Sequence, residues 1–146
     1  MSHTPHTLTA SYLVLLQGES VLLQRRFQTG FMDGMYSLPA GHIEPNESAT
    51  TALAREVTEE IGIAPLGATV AHIMQRDAGN GLEYIDIFFT ASTWQGEPHN
   101  CEPEKCDDLS WYPLTALPKN TIPYIKAALE HIQSTTPFSE FGYNKL

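Results

Sequence analysis

GHIEPNESATTALAREVTEEIGI, residues 41–63, is the stretch from which the rest of the chain is read. Pro45 and Asn46 break the preceding chain and offer an N-cap, and Glu47 puts negative charge in a first helical turn. Gly62 suits the left-handed residue that closes a helix. The spacing therefore predicts a helix from Glu47 to Ile61. At about 100° per residue, Glu56, Glu59 and Glu60 fall on one arc, and Leu53, Val57 and Ile61 on the neighbouring stripe. One flank is core and the next is a carboxylate cluster. Like charges three and four residues apart cost ~0.2–0.5 kcal/mol per pair, so a cation is expected among them. Hard oxygen donors from one helical turn suit Mg²⁺ or Mn²⁺, which bridge readily to phosphates.

The spacing is more specific than the charge. Five residues separate Gly41 from Glu47, seven more lead to the pair Arg55 and Glu56, and Glu59, Glu60, Gly62 and Ile63 follow, with aliphatic Val57 directly after Glu56. The pattern resembles the complete signature of the Nudix hydrolases, with no departure at any fixed position. At ordinary residue usage a chance match is on the order of 10⁻⁹ per starting point. The resemblance implies the Nudix fold, an α/β class α/β/α sandwich around a mixed β-sheet, and hydrolysis of a phosphoanhydride in a nucleoside diphosphate linked to a group X. It implies that Glu56 and Glu60 are the main metal ligands and that Glu59 is a ligand or orients a metal-bound water. Gly41 would donate a backbone carbonyl to the metal, while Arg55 and Glu47 brace the loop, Glu47 close to the metal.

Similarity to the MutT branch implies further residues. An arginine at the end of strand 21–26 would touch substrate phosphates, and alternation lets only one of Arg25 and Arg26 face the site. A further ligand or base is expected in the acidic loop, at Glu102 or at Glu104. Asn120 matches the position that reads a nucleobase edge, and it also reads simply as a helix N-cap. This branch releases a nucleoside monophosphate and pyrophosphate from a triphosphate. The alternatives are hydrolysis of ADP-ribose, a nucleotide sugar or a dinucleoside polyphosphate, or a non-catalytic nucleotide-binding module. Such modules typically lose ligand glutamates, and here all are present.

Around this stretch the apolar periodicity gives the other elements. Leu8–Gln17 reads as a strand whose run Tyr12–Leu16 is buried on both faces, with Val21–Arg26 as its hairpin partner. Phe31 and Met32 interrupt a Gly-containing loop as a lid or base-stacking surface, or as simple packing. Met35–Pro39 is a short strand delivering Gly41. Thr69–Arg76 and Leu82–Ser92 are strands joined by a turn at Asn80 and Gly81. In the second strand Asp86 shares a face with Tyr84 and Phe88, as a sheet-edge residue or as a polar group in a cleft. Asp108–Tyr112 is another strand, and Ile122–Gln133 a helix with Ile125, Leu129 and Ile132 on one face. The aromatic tail 137–146 packs back on the domain or onto a second copy.

At 146 residues the chain reads as one domain, 1–146. A net charge of −9 and a pI near 4.9 argue against nucleic-acid polymers and anionic membranes as partners, because both need basic patches. The expected partner is a nucleotide-type small molecule, and the expected state a monomer or homodimer. Cys101 and Cys106 have no further Cys or His pair at zinc-ligand spacing, and reduced thiols without a signal segment fit the cytoplasm. No apolar run approaches the ~20 residues of a membrane span.

Overall fold

The computed structural model describes residues 6–143. Its elements, in order, are β1 (His6–Gln17), β2 (Ser20–Arg26), β3 (Tyr36–Ser37), β4 (Ala40–His42), α1 (Ala49–Ile61), β5 (Ala64–Leu66), β6 (Thr69–Gly79), β7 (Leu82–Ala91), β8 (Thr93–Gln95), β9 (Cys106–Pro113), α2 (Pro123–Gln133) and β10 (Phe138–Phe141). The mixed sheet runs β10-β6-β7-β1-β2-β3, with β4 also paired to β1 and β9 to β2; β5 and β8 form a separate ribbon.

The apolar run of β1 places it at the centre. It lies parallel to β7 from His6 opposite Leu82 to Leu15 opposite Ala91, and antiparallel to β4, where Ser11 faces Gly41. Alternation then divides its side chains between two cores. Tyr12 and Val14 join Phe88 and, from α2, Ile125 and Leu129. Leu13 and Leu15 join Phe89 and, from α1, Leu53, Val57 and Ile61. Each helix covers one face of the sheet, as expected for the sandwich. A buried side chain of this kind contributes ~1.5–3 kcal/mol.

Four details differ from the sequence reading. The predicted β1–β2 hairpin exists only at its tip, through Leu16 with Val21 and Gln17 with Ser20; β2 pairs along its length with β9 instead. The chain before α1 is two short strands, and Gly41 belongs to the second. The acidic loop starts with β8, which pairs with β5. Within the tail, Phe138–Phe141 adds β10 to the sheet, parallel to β6, and the reading for residues 144–146 falls outside the described residues.

Helix α1 begins later than predicted. Asn46 has φ +64°, whereas an N-cap residue needs extended backbone, so it cannot cap. Ser48 does: its φ and ψ are −75° and 158°, and its side chain accepts from the Thr51 N–H. Glu47 is thereby left in the loop instead of the first turn, free to face Arg55. At the other end Gly62, with φ 72°, returns its N–H to the Thr58 carbonyl. Ser48→Ala is expected to cost about 1 kcal/mol in urea unfolding, and an unchanged midpoint would mean that α1 is capped from elsewhere.

Candidate active site

Arg55 ties the pieces of the site together. From α1 its Nε and Nη2 grip the Glu47 carboxylate at 2.8 and 3.0 Å, Nη2 also donates to the His42 carbonyl at 3.2 Å, and Nη1 meets Glu56 Oε1 at 2.6 Å. The arginine thus fastens loop 43–48 and strand β4 to the helix. The Arg55 bonds, joined by one from the Glu44 N–H, hold the Glu47 carboxyl down at about 2, so it stays ionised throughout the physiological range. This is the brace expected from the spacing.

Gly41 has an ordinary strand conformation in β4, so the requirement for glycine is one of space. A Cβ built there would overlap the Glu56 side chain. Absence of that one carbon lets the helix carboxylate lie against the β4 backbone.

Glu60 lies deepest. Its Oε1 accepts from Gln24 Nε2 at 3.0 Å and from the Ala40 N–H at 3.2 Å. Burial pushes this carboxyl up to about 8 against those two bonds, and the charges of Glu56 and Glu102 push the same way. Glu102 reaches the cleft because its loop is fastened to the end of α1: the His99 N–H donates to the Ile61 carbonyl and the Cys101 N–H to the Glu60 carbonyl. These bonds also satisfy helix-terminal carbonyls.

Glu56, Glu59, Glu60 and Glu102 line one polar cleft of about 510 Å³, together with Gln24, Arg25, Arg26 and Lys105. Glu104 is exposed and lies outside this lining, which separates the two loop candidates. Alternation allowed only one of Arg25 and Arg26 at the site, but both line the cleft, with a register shift between them in the β2–β9 pairing; Arg25 is paired with Asp107, at 2.7 Å. Arg26 lines both this cleft and an adjoining cavity of about 490 Å³. Its Nε donates to the Phe31 carbonyl at 2.6 Å and its guanidinium lies 5.3 Å from the Phe31 ring centre. Phe31, 48% exposed, stands at the mouth of the second cavity. Asn120 does neither thing expected of it. Ile122 is the N-cap residue of α2, and the Asn120 amide donates to the Gly34 carbonyl at 2.7 Å, outside the lining of either cavity. It fixes the Phe31 loop.

Sequence reasoning missed three residues. Gln24, which holds Glu60, was findable, since it lies two residues before Arg26 on the same strand face. Lys105 gave no signal beyond its charge. Arg76 is 6% exposed and pairs with the fully buried Asp86 at 2.7 Å, so Asp86 sits on a central strand and not at an edge. A bulge at the β6–β7 turn shifts the register by one, and simple counting from the turn puts Arg76 and Asp86 on opposite faces.

Residues 5–132 match the NUDIX domain family. The chain belongs to the Nudix hydrolase superfamily. It is 31% identical over 121 residues to the NAD-capped RNA hydrolase NudC of Stutzerimonas stutzeri, a match covering 81% of this chain and 41% of that protein. It is 33% identical over 87 residues to the 8-oxo-dGDP phosphatase NUDT18 of Homo sapiens, covering 58% and 26% respectively. The chain therefore spans well under half the length of these relatives. The crystal structure of a MutT Nudix hydrolase from Burkholderia pseudomallei superposes with a TM-score of 0.80 at 28% identity, covering 86% of this chain and 97% of that one.

The donor set of this Nudix site suits a hard divalent cation: four carboxylates on one cleft, with the Gly41 backbone beside Glu56. As placed, no three acidic, His or Cys groups among the described residues converge on one point, because Glu56 turns to Arg55 and Glu60 to Gln24 and Ala40. The raised Glu60 carboxyl has a sign that can be measured. Its unfolded value is 4.5 and its folded value about 8. Between these the folded chain binds the extra proton, so stability falls as pH rises through that window. Melting with a chelator present should show this fall in the wild type and much less of it in Glu60→Gln. At pH 8 the variant should melt several degrees higher, at ~2–4 °C per kcal/mol relieved.

Proposed function

We propose that this protein hydrolyses a phosphoanhydride bond in a nucleoside diphosphate linked to a group X, with Mg²⁺ or Mn²⁺ bound, and that its substrates are nucleoside triphosphates, released as monophosphate and pyrophosphate. The observation that carries this reading is the single cleft in which Glu56, Glu59, Glu60 and Glu102 meet Arg26 and Lys105. Glu56, Glu59, Glu60 and Glu102 would hold the metal together with the Gly41 carbonyl. When bound, the ion supplies charge neutralisation on the phosphate oxygens and acidifies bound water.

The chain's own residues divide the remaining work. Arg25, Arg55 and Arg76 are each within 4 Å of a carboxylate. Arg26 forms no such pair among the described residues, so its charge is available to a phosphate, and Lys105 shares its cleft. Glu56 is engaged by Arg55, and Glu60 by Gln24 and Ala40. The Glu59 and Glu102 side chains make no hydrogen bond to a described residue, so whichever of the two leaves an oxygen off the metal would take the proton of an attacking water. The adjoining cavity, which shares Gln24, Arg26 and Glu60 with the cleft, receives the nucleoside. Similarity to a NAD-capped RNA hydrolase favours a second reading, in which X is itself a nucleoside.

Release of pyrophosphate and phosphate should be measured with Mg²⁺ across unmodified and oxidised nucleoside triphosphates, ADP-ribose, NAD, nucleotide sugars and dinucleoside polyphosphates. Pyrophosphate from triphosphates is the expected result; turnover of NAD or dinucleoside polyphosphates alone would move the assignment to the second reading, and of ADP-ribose or nucleotide sugars alone to one in which X is a sugar. Glu56→Gln should lower kcat by several orders of magnitude while the protein stays folded, and a fully active Glu56→Gln would sink the metal assignment. Removing a charge-assisted contact costs ~1.5–3 kcal/mol, so Arg26→Ala should lower kcat/KM by ~10- to 100-fold.

A further inference from the structure

One member of a buried charged pair that phosphate chemistry does not use, Arg76, lines the 490 Å³ cavity, and its partner Asp86 lies outside the lining. Arg76 lines the cavity beside Tyr12, Tyr84 and Tyr124. Its guanidinium is held on three sides. One edge is taken by Asp86, through Nε to Oδ2 at 2.7 Å and Nη2 to Oδ1 at 3.3 Å. The two faces are taken by aromatic rings, with the guanidinium carbon 4.3 Å from the centre of Tyr84 and 3.8 Å from that of Tyr124. What remains is the outer edge, Nη1 and the second N–H of Nη2. The latter has one long bond, 3.4 Å, to the Tyr12 hydroxyl, and Nη1 makes no hydrogen bond to a described residue. No fully buried side-chain nitrogen or oxygen lacks a partner in the described part of the molecule. Nη1, without a partner among the described residues, therefore belongs to the small exposed part of this side chain, which lines the cavity.

We infer that this edge reads the base: Arg76, fixed in its plane by Asp86 and the two tyrosines, selects a nucleobase that presents two adjacent acceptors, a 6-oxopurine with an unprotonated N7. The inference rests on the nucleotide reading of the cleft. Asp86 already neutralises Arg76, which disfavours a second anion and favours a neutral acceptor edge. The rigid donor fork matches O6 and N7 of guanine, whereas adenine offers an amino donor at position 6. Oxidation at C8 puts a hydrogen on N7 and turns one of the two acceptors into a donor, so 8-oxoguanine also mismatches. Phe31 at the cavity mouth supplies a stacking face. Asp86 is a positioning residue, because its contact is with Arg76 and not with the base.

The test is equilibrium binding of GMP, AMP and 8-oxo-GMP to the full chain with Mg²⁺ present, followed by calorimetry or by chemical-shift changes. GMP is expected to bind at least ~10-fold tighter than either competitor, the discrimination typical of one good bidentate contact. Removing one member of a buried ion pair threatens folding, so two variants are used: Arg76→Lys, which keeps the pair with Asp86 but loses the planar fork, and the uncharged double variant Arg76→Gln/Asp86→Asn. In whichever of them melts near the wild type, the ratio of GMP to AMP affinity should fall towards one. Parity of GMP with AMP or with 8-oxo-GMP in the wild type overturns the inference, as does a GMP preference that survives in the folded variant. Because the readout is binding, selective GMP binding without turnover of any nucleotide would refute the hydrolase reading and leave the base reader standing. Turnover without base preference would do the reverse.

Discussion

The site depends on one guanidinium. Arg55 reaches from α1 to Glu47, Glu56 and the His42 carbonyl, and in doing so joins a loop, a strand end and the helix that carries the acids. The Glu47 contact is bidentate, the geometry in which an arginine–carboxylate pair gains both strength and direction. Without it, loop 43–48 would be held by its own turn and by the Ile43 N–H bond to the Thr9 carbonyl at its start, and Glu56 would lose the cation beside it. A lysine would supply the charge but not the fork.

The same logic governs how an acidic protein could hold the polyanion proposed as its substrate. A net charge of −9 repels phosphates at long range, yet salt confines that field to ~8–10 Å. Within that distance the arrangement of individual charges decides. Three arginines are neutralised by carboxylates, and the fourth, Arg26, faces the cleft with Lys105. The carboxylates opposite them carry an unfavourable concentration of charge, visible in Glu60, whose burial and acidic neighbours keep its proton on. Such a site stores electrostatic strain that a cation would relieve.

Much of this was legible in the sequence. The helix and its carboxylate cluster follow from local spacing, and the Arg55–Glu47 brace from the resemblance that spacing carries; the reason for Gly at 41, a clash with Glu56, came only from the structure. What escaped was set by partners far away. Asn46 and Ser48 are both good caps on paper, and the left-handed backbone at Asn46 decided between them. Arg25 and Arg26 both line the cleft, and that Arg25 is already paired there depended on Asp107, more than eighty residues on. The partner of Asp86 was hidden by one extra residue in the β6–β7 turn, which reverses the face of everything before it. Asn120 was misread because its bond is to Gly34, across the molecule.

The parallel pairing of β1 with β7 also constrains how the chain is made. Leu8 lies opposite Tyr84 and Leu15 opposite Ala91, so this apolar strand waits for its parallel partner until residue 91 has been made. At synthesis rates of ~5–20 residues per second, that run is without its sheet neighbour for roughly 4–15 s. In that interval β1 has only the short pairings with β2 and β4, and its long parallel edge is open to wrong partners; α1, made before β7, covers one of its faces.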